Sequence, residues 1–159
     1  MMSSKDKYET INRKWGDFDS EYYIILNAID RLKELLEDKY GSLYKASLAL
    51  GFHRTYLSSL LSSRCMLPRV IALYKICKEL DISLNYAILG EGDRTFRESE
   101  ISFSNFLRMY NSTYRGRKHM SLNVSVCRYL QGLQRNLPLK YLIRIAREQH
   151  VTIDWLIGD

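Results

Sequence analysis

The sequence predicts an all-α chain made of two small helical domains in tandem, and three observations support this prediction. Apolar residues recur at helical spacing along most of the 159 residues, and no segment alternates as a strand would. The second half repeats the pattern of the first at an offset of 69 residues, the separation of Glu79 and Glu148. Two long windows without a carboxylate lie in register with the two repeats.

The composition limits the class of protein. The chain carries 24 Lys and Arg against 18 Asp and Glu, a net charge of +6, and 46% of its residues are hydrophobic, enough to form a core. No run of about 20 apolar residues and no secretory signal is found. The cysteines Cys65, Cys77 and Cys127 form no CxxC pair, which favours a reducing compartment. We therefore expect a cytoplasmic protein that does not span a membrane.

The first repeat, residues 19–93, predicts five short helices that follow a polar N-terminal arm at residues 1–18. The first helix carries an inward row of apolar side chains and ends at Gly41, a residue type common at C-caps. The inward row consists of Ile25, Ile29, Leu32, Leu36 and Tyr40.

The second and third helices meet at Gly51, where we expect a sharp turn. Ser42 is placed to cap the second helix, whose Ala46 and Leu50 face the interior. A loop that contains Pro68 then separates the third helix from the last two helices of the repeat.

The second repeat, residues 101–159, follows a linker at 94–100 and matches the first repeat best in its last two helices. These pair LYKICKELDISLNYAI with LIRIAREQHVTIDWLI, and residue class agrees almost throughout. Ser83 and Thr152 share one position, that of an N-cap before the final helix. The match is poorest over NSTYRGRKHMS (111–121), where the second helix is degenerate, shortened or replaced by a basic loop.

The carboxylate-free windows indicate the chemistry of the partner. One runs between Asp38 and Glu79, and the other between Glu100 and Glu148. Protein surfaces usually mix both charges, whereas a surface that faces phosphates excludes carboxylates, because each one repels the polyanion. Nucleic acid is therefore the favoured partner.

Aromatic residues beside these cations raise the question of base stacking on single strands. Most of them lie on inward helix stripes, where core packing explains them better. Examples are Tyr40, Tyr74, Tyr86 and Trp155. Duplex DNA is therefore preferred over single strands.

Together these features resemble the helix-turn-helix domain of the XRE family, which includes phage lambda repressor and Cro. The residues that carry the resemblance are SLYKASLALGFHRTYLSSLLSS (42–63), LYKICKELDISLNYAILG (73–90), NVSVCRYLQG (123–132) and LIRIAREQHVTIDWLIG (142–158). The resemblance implies two tandem lambda-repressor-like five-helix domains, of which the second is divergent. Leu43 departs from the Gln that the family often has there, and Ser62-Ser63 departs from its usual Asn-Gly.

In such domains the third helix lies in the major groove with its N-terminal residues on base edges. In the first repeat this would turn Leu57 and Leu60 inward. The resemblance implies that bases are read by Arg54, Thr55, Tyr56, Ser59, Asn123, Ser125 and Arg128. It implies that phosphates are contacted by Ser42, Lys45, Arg64, Arg115, Arg117, Lys118 and Arg135.

Side-chain chemistry refines these roles, and plainer alternatives stay open. Arg54 suits guanine, and Asn123 suits adenine or is only an N-cap. Arg54 could instead be a solvated residue at the helix start, and Arg115, Arg117 and Lys118 could form a basic solvated loop.

The function implied by the resemblance is that of a sequence-specific double-stranded DNA-binding transcriptional regulator of bacterial or phage type. The alternative is an antitoxin-like or adaptor protein-interaction module with the same fold. The two repeats could read adjacent half-sites, or one could read DNA while the other forms a homodimer.

The sequence offers no support for catalysis or metal binding. His53, His119 and His150 stand apart from other ligand residues, and no phosphate-binding glycine loop, nucleophile elbow or zinc motif occurs. We therefore expect no enzyme activity, no cofactor, no metal and no small-molecule site.

Overall fold

The computed structural model confirms the all-α class for the part of the chain that it describes. Described are residues 20–62, 69–115, 120–134 and 137–158. These residues form helices and turns without a strand. None of the helices in these ranges combines the length and the apolar character needed to cross a bilayer. The N-terminal arm predicted at 1–18 lies outside the described residues.

The described residues divide into two compact units. Unit 1 comprises residues 20–62 and 72–96, and unit 2 comprises residues 69–71 together with the described residues from Arg97 onward. The change from unit 1 to unit 2 after Phe96 falls within the segment 94–100 that the sequence assigns to a linker.

The structure describes nine α-helices within these ranges. In order, they are α1 (Ser20–Tyr40), α2 (Leu43–Ala49), α3 (Tyr56–Leu60), α4 (Val70–Leu80), α5 (Leu84–Leu89), α6 (Ser104–Met109), α7 (Met120–Leu130), α8 (Leu139–Gln149) and α9 (Ile153–Ile157). A π-helical turn, Tyr110–Tyr114, continues α6 directly.

In unit 1, α1 packs against α2 and α5, and α2 packs against α3. The predicted inward row of α1 is buried at Ile25, Ile29, Leu32 and Leu36, whereas Tyr40 is half-buried. Arg31, on the same helix, donates to the carbonyl of Ala87 at 2.9 Å. This bond satisfies a carbonyl in the last turn of α5, which the helix itself leaves without a partner.

The turn after α2 has the hydrogen bonds of a Schellman motif. Gly51 adopts φ +77°, in the left-handed region, and its N–H bonds to the carbonyl of Leu48 at 3.1 Å. The N–H of Phe52 bonds to the carbonyl of Ser47 at 2.8 Å. Glycine suits this position because a side chain would clash with the backbone at such a φ. The sharp turn predicted at Gly51 is therefore confirmed.

In unit 2, α9 packs against α6 and α8. The backbone N–H groups of Ser102 and Phe103 both bond to the carbonyl of Ile157 at 2.9 Å. The side chain of Asn105, 1% exposed, donates to the carbonyl of Trp155 at 2.8 Å. These bonds hold the start of α6 on the end of α9.

The structure reproduces the 69-residue offset in the last two helices of each repeat. Helices α4 and α8 each span 11 residues, and each is followed by a residue in the left-handed region, Asp81 (φ +53°) and His150 (φ +54°). The next N–H bonds back to an equivalent carbonyl, which is that of Cys77 in unit 1 and that of Ala146 in unit 2.

The predicted N-caps of the final helices are confirmed at both equivalent positions. Ser83 accepts from the N–H of Tyr86 at 3.0 Å, and Thr152 accepts from the N–H of Trp155 at 3.1 Å. Trp155 itself is 42% exposed, so its predicted inward orientation is wrong. Its short helix buries Leu156 and Ile157 instead.

The first halves of the two repeats differ. The first helix has 21 residues in unit 1 and 6 in unit 2. The π-helical turn takes the place of the start of the predicted second helix, which agrees with the degenerate sequence there. Because α7 begins at Met120, Asn123 lies inside that helix, and the alternative role of Asn123 as an N-cap is wrong.

Candidate nucleic-acid interface

A buried serine of α2 holds the first turn of α3. Ser47 is 0% exposed, and its hydroxyl donates to the carbonyl of Leu43 at 2.8 Å and accepts from the N–H of Leu57 at 3.2 Å. Thr55, at the N-cap position of α3, makes no side-chain capping bond. Ser47 therefore satisfies one of the N–H groups that a helix start leaves unbonded. The bond fixes α3 relative to α2.

Two leucines anchor α3 in the core of unit 1. Leu57 is 0% exposed and Leu61 is 2% exposed. Leu60, which the sequence predicts to turn inward, is only half-buried, because α3 is a single short turn and Leu61 just beyond it takes the buried position. The opposite face of α3 is left to solvent.

Most of the predicted base-reading residues of unit 1 are exposed, either on α3 or just before it. Arg54, Thr55 and Ser59 are exposed. Tyr56 is half-buried, and its ring packs on that of Phe52 with centroids 4.6 Å apart. Tyr56 therefore forms an edge of the surface and does not project freely from it.

His53 lies just before α3. The sequence alone suggests no role for it, because it stands apart from other metal-ligating residues. It is exposed, and its Nδ1 lies 3.0 Å from the Thr55 hydroxyl and accepts from the Thr55 N–H at 3.4 Å. The histidine thus orders the turn before α3. The sequence signal that could have indicated this role is a hydrogen-bonding side chain two residues before the N-cap position.

Two basic side chains, one on α2 and one on α4, are exposed in unit 1. Lys45 and Lys75 are exposed, and the Lys75 ammonium lies 5.2 Å from the centroid of the Phe52 ring. That placement is a cation–π contact beside the turn that leads to α3. Ser42, a predicted phosphate contact, is half-buried, and its hydroxyl caps α2 by accepting from the N–H of Lys45 at 3.1 Å.

The predicted base-reading residues of unit 2 are less available. Asn123 is half-buried, and its Oδ1 accepts a hydrogen bond from the hydroxyl of Tyr110. Ser125 is half-buried, and its carbonyl accepts from the side chain of Gln134 at 3.1 Å. Arg128 is exposed.

The predicted phosphate contacts of unit 2 are described only in part. Arg115 is exposed at the end of the π-helical turn. Outside the described residues lie Arg64 of the first repeat and Arg117, Lys118 and Arg135 of the second.

A buried tyrosine holds the π-helical turn of unit 2 in place. The hydroxyl of Tyr114, a residue 4% exposed, donates to Glu148 and accepts from the side chain of Gln149 at 3.3 Å. Burial, followed by the hydrogen bond to Glu148, raises the pKa of Tyr114 above its ordinary value. The turn that ends at Arg115 is thereby tied to the end of α8.

Metal-ligating side chains do not gather in groups of three or more within the described ranges.

No family model, curated protein or solved structure compared with the chain matches it.

Proposed function

We propose that the chain is a sequence-specific double-stranded DNA-binding protein that reads bases with α3 and regulates transcription. The observation that carries the proposal is the bond between Ser47 and Leu57, which holds a short helix with its polar face outward. A reading helix must keep one orientation, because base-edge hydrogen bonds tolerate little displacement. The resemblance to the XRE family supports the same assignment.

The side chains on the outer face of α3 suit the major groove. Arg54 precedes the first turn and offers a guanidinium that can bond to both O6 and N7 of guanine, a contact worth about 1–3 kcal/mol of discrimination. Thr55 and Ser59 supply hydroxyl groups that donate or accept. This set can distinguish base pairs, whereas contacts to phosphates alone could not.

The charges of unit 1 suit the phosphates on either side of a groove. Lys45 and Lys75 are exposed, and no carboxylate occurs in the sequence between Asp38 and Glu79. Each lysine that neutralises a phosphate releases a condensed counterion, so such contacts give affinity without sequence preference. The proposal assigns base reading to α3 alone, because Asn123 is engaged by Tyr110.

The test is fluorescence anisotropy of the full chain with labelled random duplex DNA over a series of salt concentrations. We expect the logarithm of the binding constant to fall linearly with the logarithm of the salt concentration. The slope should correspond to the neutralisation of several phosphates. Selection of bound duplexes from a random pool should then yield a short preferred site. Absence of binding at about 50 mM salt would contradict the proposal.

A further inference from the structure

A row of apolar side chains runs along the outside of unit 2. Val124, Cys127 and Leu130 are spaced by three along α7, and Leu133 continues the spacing past the end of the helix. Val124 is 49% exposed, Leu130 66% and Leu133 71%, and Cys127 is also exposed. Residues spaced by three form a ridge of the kind that packs into the groove of another helix. We call these four residues the α7 ridge.

The α7 ridge is not part of the core of unit 2. The opposite side of the helix buries Leu122 and Val126, each 2% exposed. The position of Leu133 follows from the turn after α7, where its N–H bonds to the carbonyl of Arg128 at 2.9 Å. In such a turn the residue at the position of Leu133 usually packs on an apolar side chain at the position of Arg128. Here that side chain is a charged arginine. Leu133 is left in solvent.

The equivalents of Val124 and Cys127 in unit 1 show that the fold does not require apolar side chains at these two positions. At the 69-residue offset, Val124 corresponds to Thr55 and Cys127 corresponds to Ser58. Both residues of unit 1 are polar and exposed. At these two positions unit 2 carries apolar side chains where unit 1 carries hydroxyls, and at the position of the buried Leu61 it exposes Leu130, which favours a binding role for the α7 ridge.

The charge beside the ridge identifies the chemistry of its partner. Arg128 is exposed on the same helix, and the sequence has no carboxylate between Glu100 and Glu148. A partner must therefore supply apolar side chains for the ridge and negative charge for its surroundings. Duplex DNA supplies the charge but forms mainly polar interfaces. A second copy packed symmetrically on α7 would bring two Arg128 side chains to one interface, and α7 itself carries no acid to balance them.

We propose that the α7 ridge binds an acidic amphipathic helix of a partner protein, with apolar side chains of that helix against the ridge and its flanking carboxylates near Arg128. Helix-in-groove recognition of this type uses three or four apolar anchors at helical spacing. The inference concerns unit 2 alone and does not depend on DNA binding by α3.

The probe is a labelled synthetic helix of about 20 residues with a leucine stripe flanked by glutamates. We expect saturable binding to the full chain in fluorescence anisotropy, weakening as salt rises. A matched peptide with lysines in place of the glutamates should bind at least about tenfold more weakly, because Arg128 repels it. Equal binding of the two peptides would overturn the proposal.

Two substitutions separate the contributions of the ridge and of the charge. Leu130→Gln should lower the affinity for the acidic peptide by about tenfold. The control is Leu48→Gln on α2, which changes a leucine that is 52% exposed and should leave the affinity unchanged. Arg128→Glu should lower the affinity for the acidic peptide and raise the affinity for the lysine peptide. Because these side chains are exposed, circular dichroism should show unchanged helicity.

Three other results would each refute the proposed partner. Unchanged peptide binding by Leu130→Gln would show that the ridge is not the site. Self-association of the wild-type chain in sedimentation velocity that Leu130→Gln abolishes would identify a second copy as the occupant. A loss of DNA affinity in Leu130→Gln without any change in peptide binding would assign the ridge to DNA. A failure of DNA binding by the wild-type chain would leave the peptide result untouched.

Discussion

The hydroxyl of Ser47 lies 3.2 Å from the backbone nitrogen of Leu57 and accepts its hydrogen bond, so that α2 caps α3. Both residues are 0% exposed. In water a lost bond of this kind would be replaced by a solvent molecule, but at a buried site no replacement is at hand. The position of the candidate reading helix therefore depends on one hydroxyl in the neighbouring helix.

Ser47→Ala should lower the free energy of unfolding by about 1–3 kcal/mol, because it leaves the buried N–H of Leu57 without an acceptor. Urea unfolding followed by circular dichroism measures the change. The matched control is Ser58→Ala, which changes an exposed serine of α3. This substitution should change the free energy of unfolding by no more than about 0.5 kcal/mol. Equal effects of the two substitutions would mean that the Ser47 bond contributes nothing to stability.

Arg54→Ala should reduce the preference for the selected site over random duplex by about 10-fold or more, because one bidentate base contact is lost. Its slope of log affinity against log salt should stay nearly unchanged if Arg54 contacts a base and no phosphate. Lys45→Ala should instead weaken binding on all sequences and reduce that slope by about 1. Anisotropy with specific and random duplexes measures both quantities. If the two variants behaved alike, the division between base reading and phosphate contact would be wrong.

Unit 2 should lose stability in alkaline solution through Tyr114. The pKa of this residue is raised in the folded state, so the folded chain holds the proton more tightly than the unfolded chain. The stabilisation is complete below the pKa of the unfolded state, about 10, and is lost as pH rises from there through the folded pKa. Urea midpoints measured on both sides of this range should show the decline.

Tyr114→Phe should remove that component of the alkaline decline, since no hydroxyl is left to ionise. At neutral pH the variant should lose about 0.5–1.5 kcal/mol, because the hydrogen bonds to Glu148 and Gln149 are gone. The comparison variant is Tyr44→Phe, in which the altered residue is 51% exposed and should cost little. An unchanged alkaline profile in Tyr114→Phe would contradict the assignment.

The two equivalent N-caps should differ in their contribution to stability. Thr152→Ala should cost about 1 kcal/mol, the ordinary effect of losing a capping oxygen. Ser83→Ala should cost more, about 2 kcal/mol, because the Ser83 hydroxyl also donates to the carbonyl of Asp93 at 2.7 Å. Urea unfolding of the two variants makes the comparison directly. The prediction fails if Thr152→Ala is the more damaging change.

Much of the helical framework could be predicted from the sequence because its signals are local. The end of α1 before Gly41, the capping by Ser42 and the equivalent caps at Ser83 and Thr152 each depend on residues within one turn. Helical spacing also predicts the buried stripe of α1, since the first helix is long enough to show it.

Features that depend on contacts between elements could not be predicted in the same way. The bond from Leu57 to Ser47 joins residues ten positions apart, and its only trace in the sequence is a serine on an otherwise apolar helix face. The bond from Tyr110 to Asn123 has no local signal. In α3 the choice between Leu60 and Leu61 as the buried residue is decided by packing, because a single turn is too short to define a face.

Asp81 and His150 stand at the same corner of the two repeats and adopt the same backbone shape with unlike side chains. Hydrogen bonds formed by the following N–H groups hold this corner, and both side chains point into solvent. The backbone conformation of the corner therefore does not depend on the chemistry of the side chain there. A non-glycine residue at this φ costs only moderate backbone strain. A duplicated scaffold of this kind can acquire a carboxylate on one copy and an imidazole on the other while its backbone stays the same.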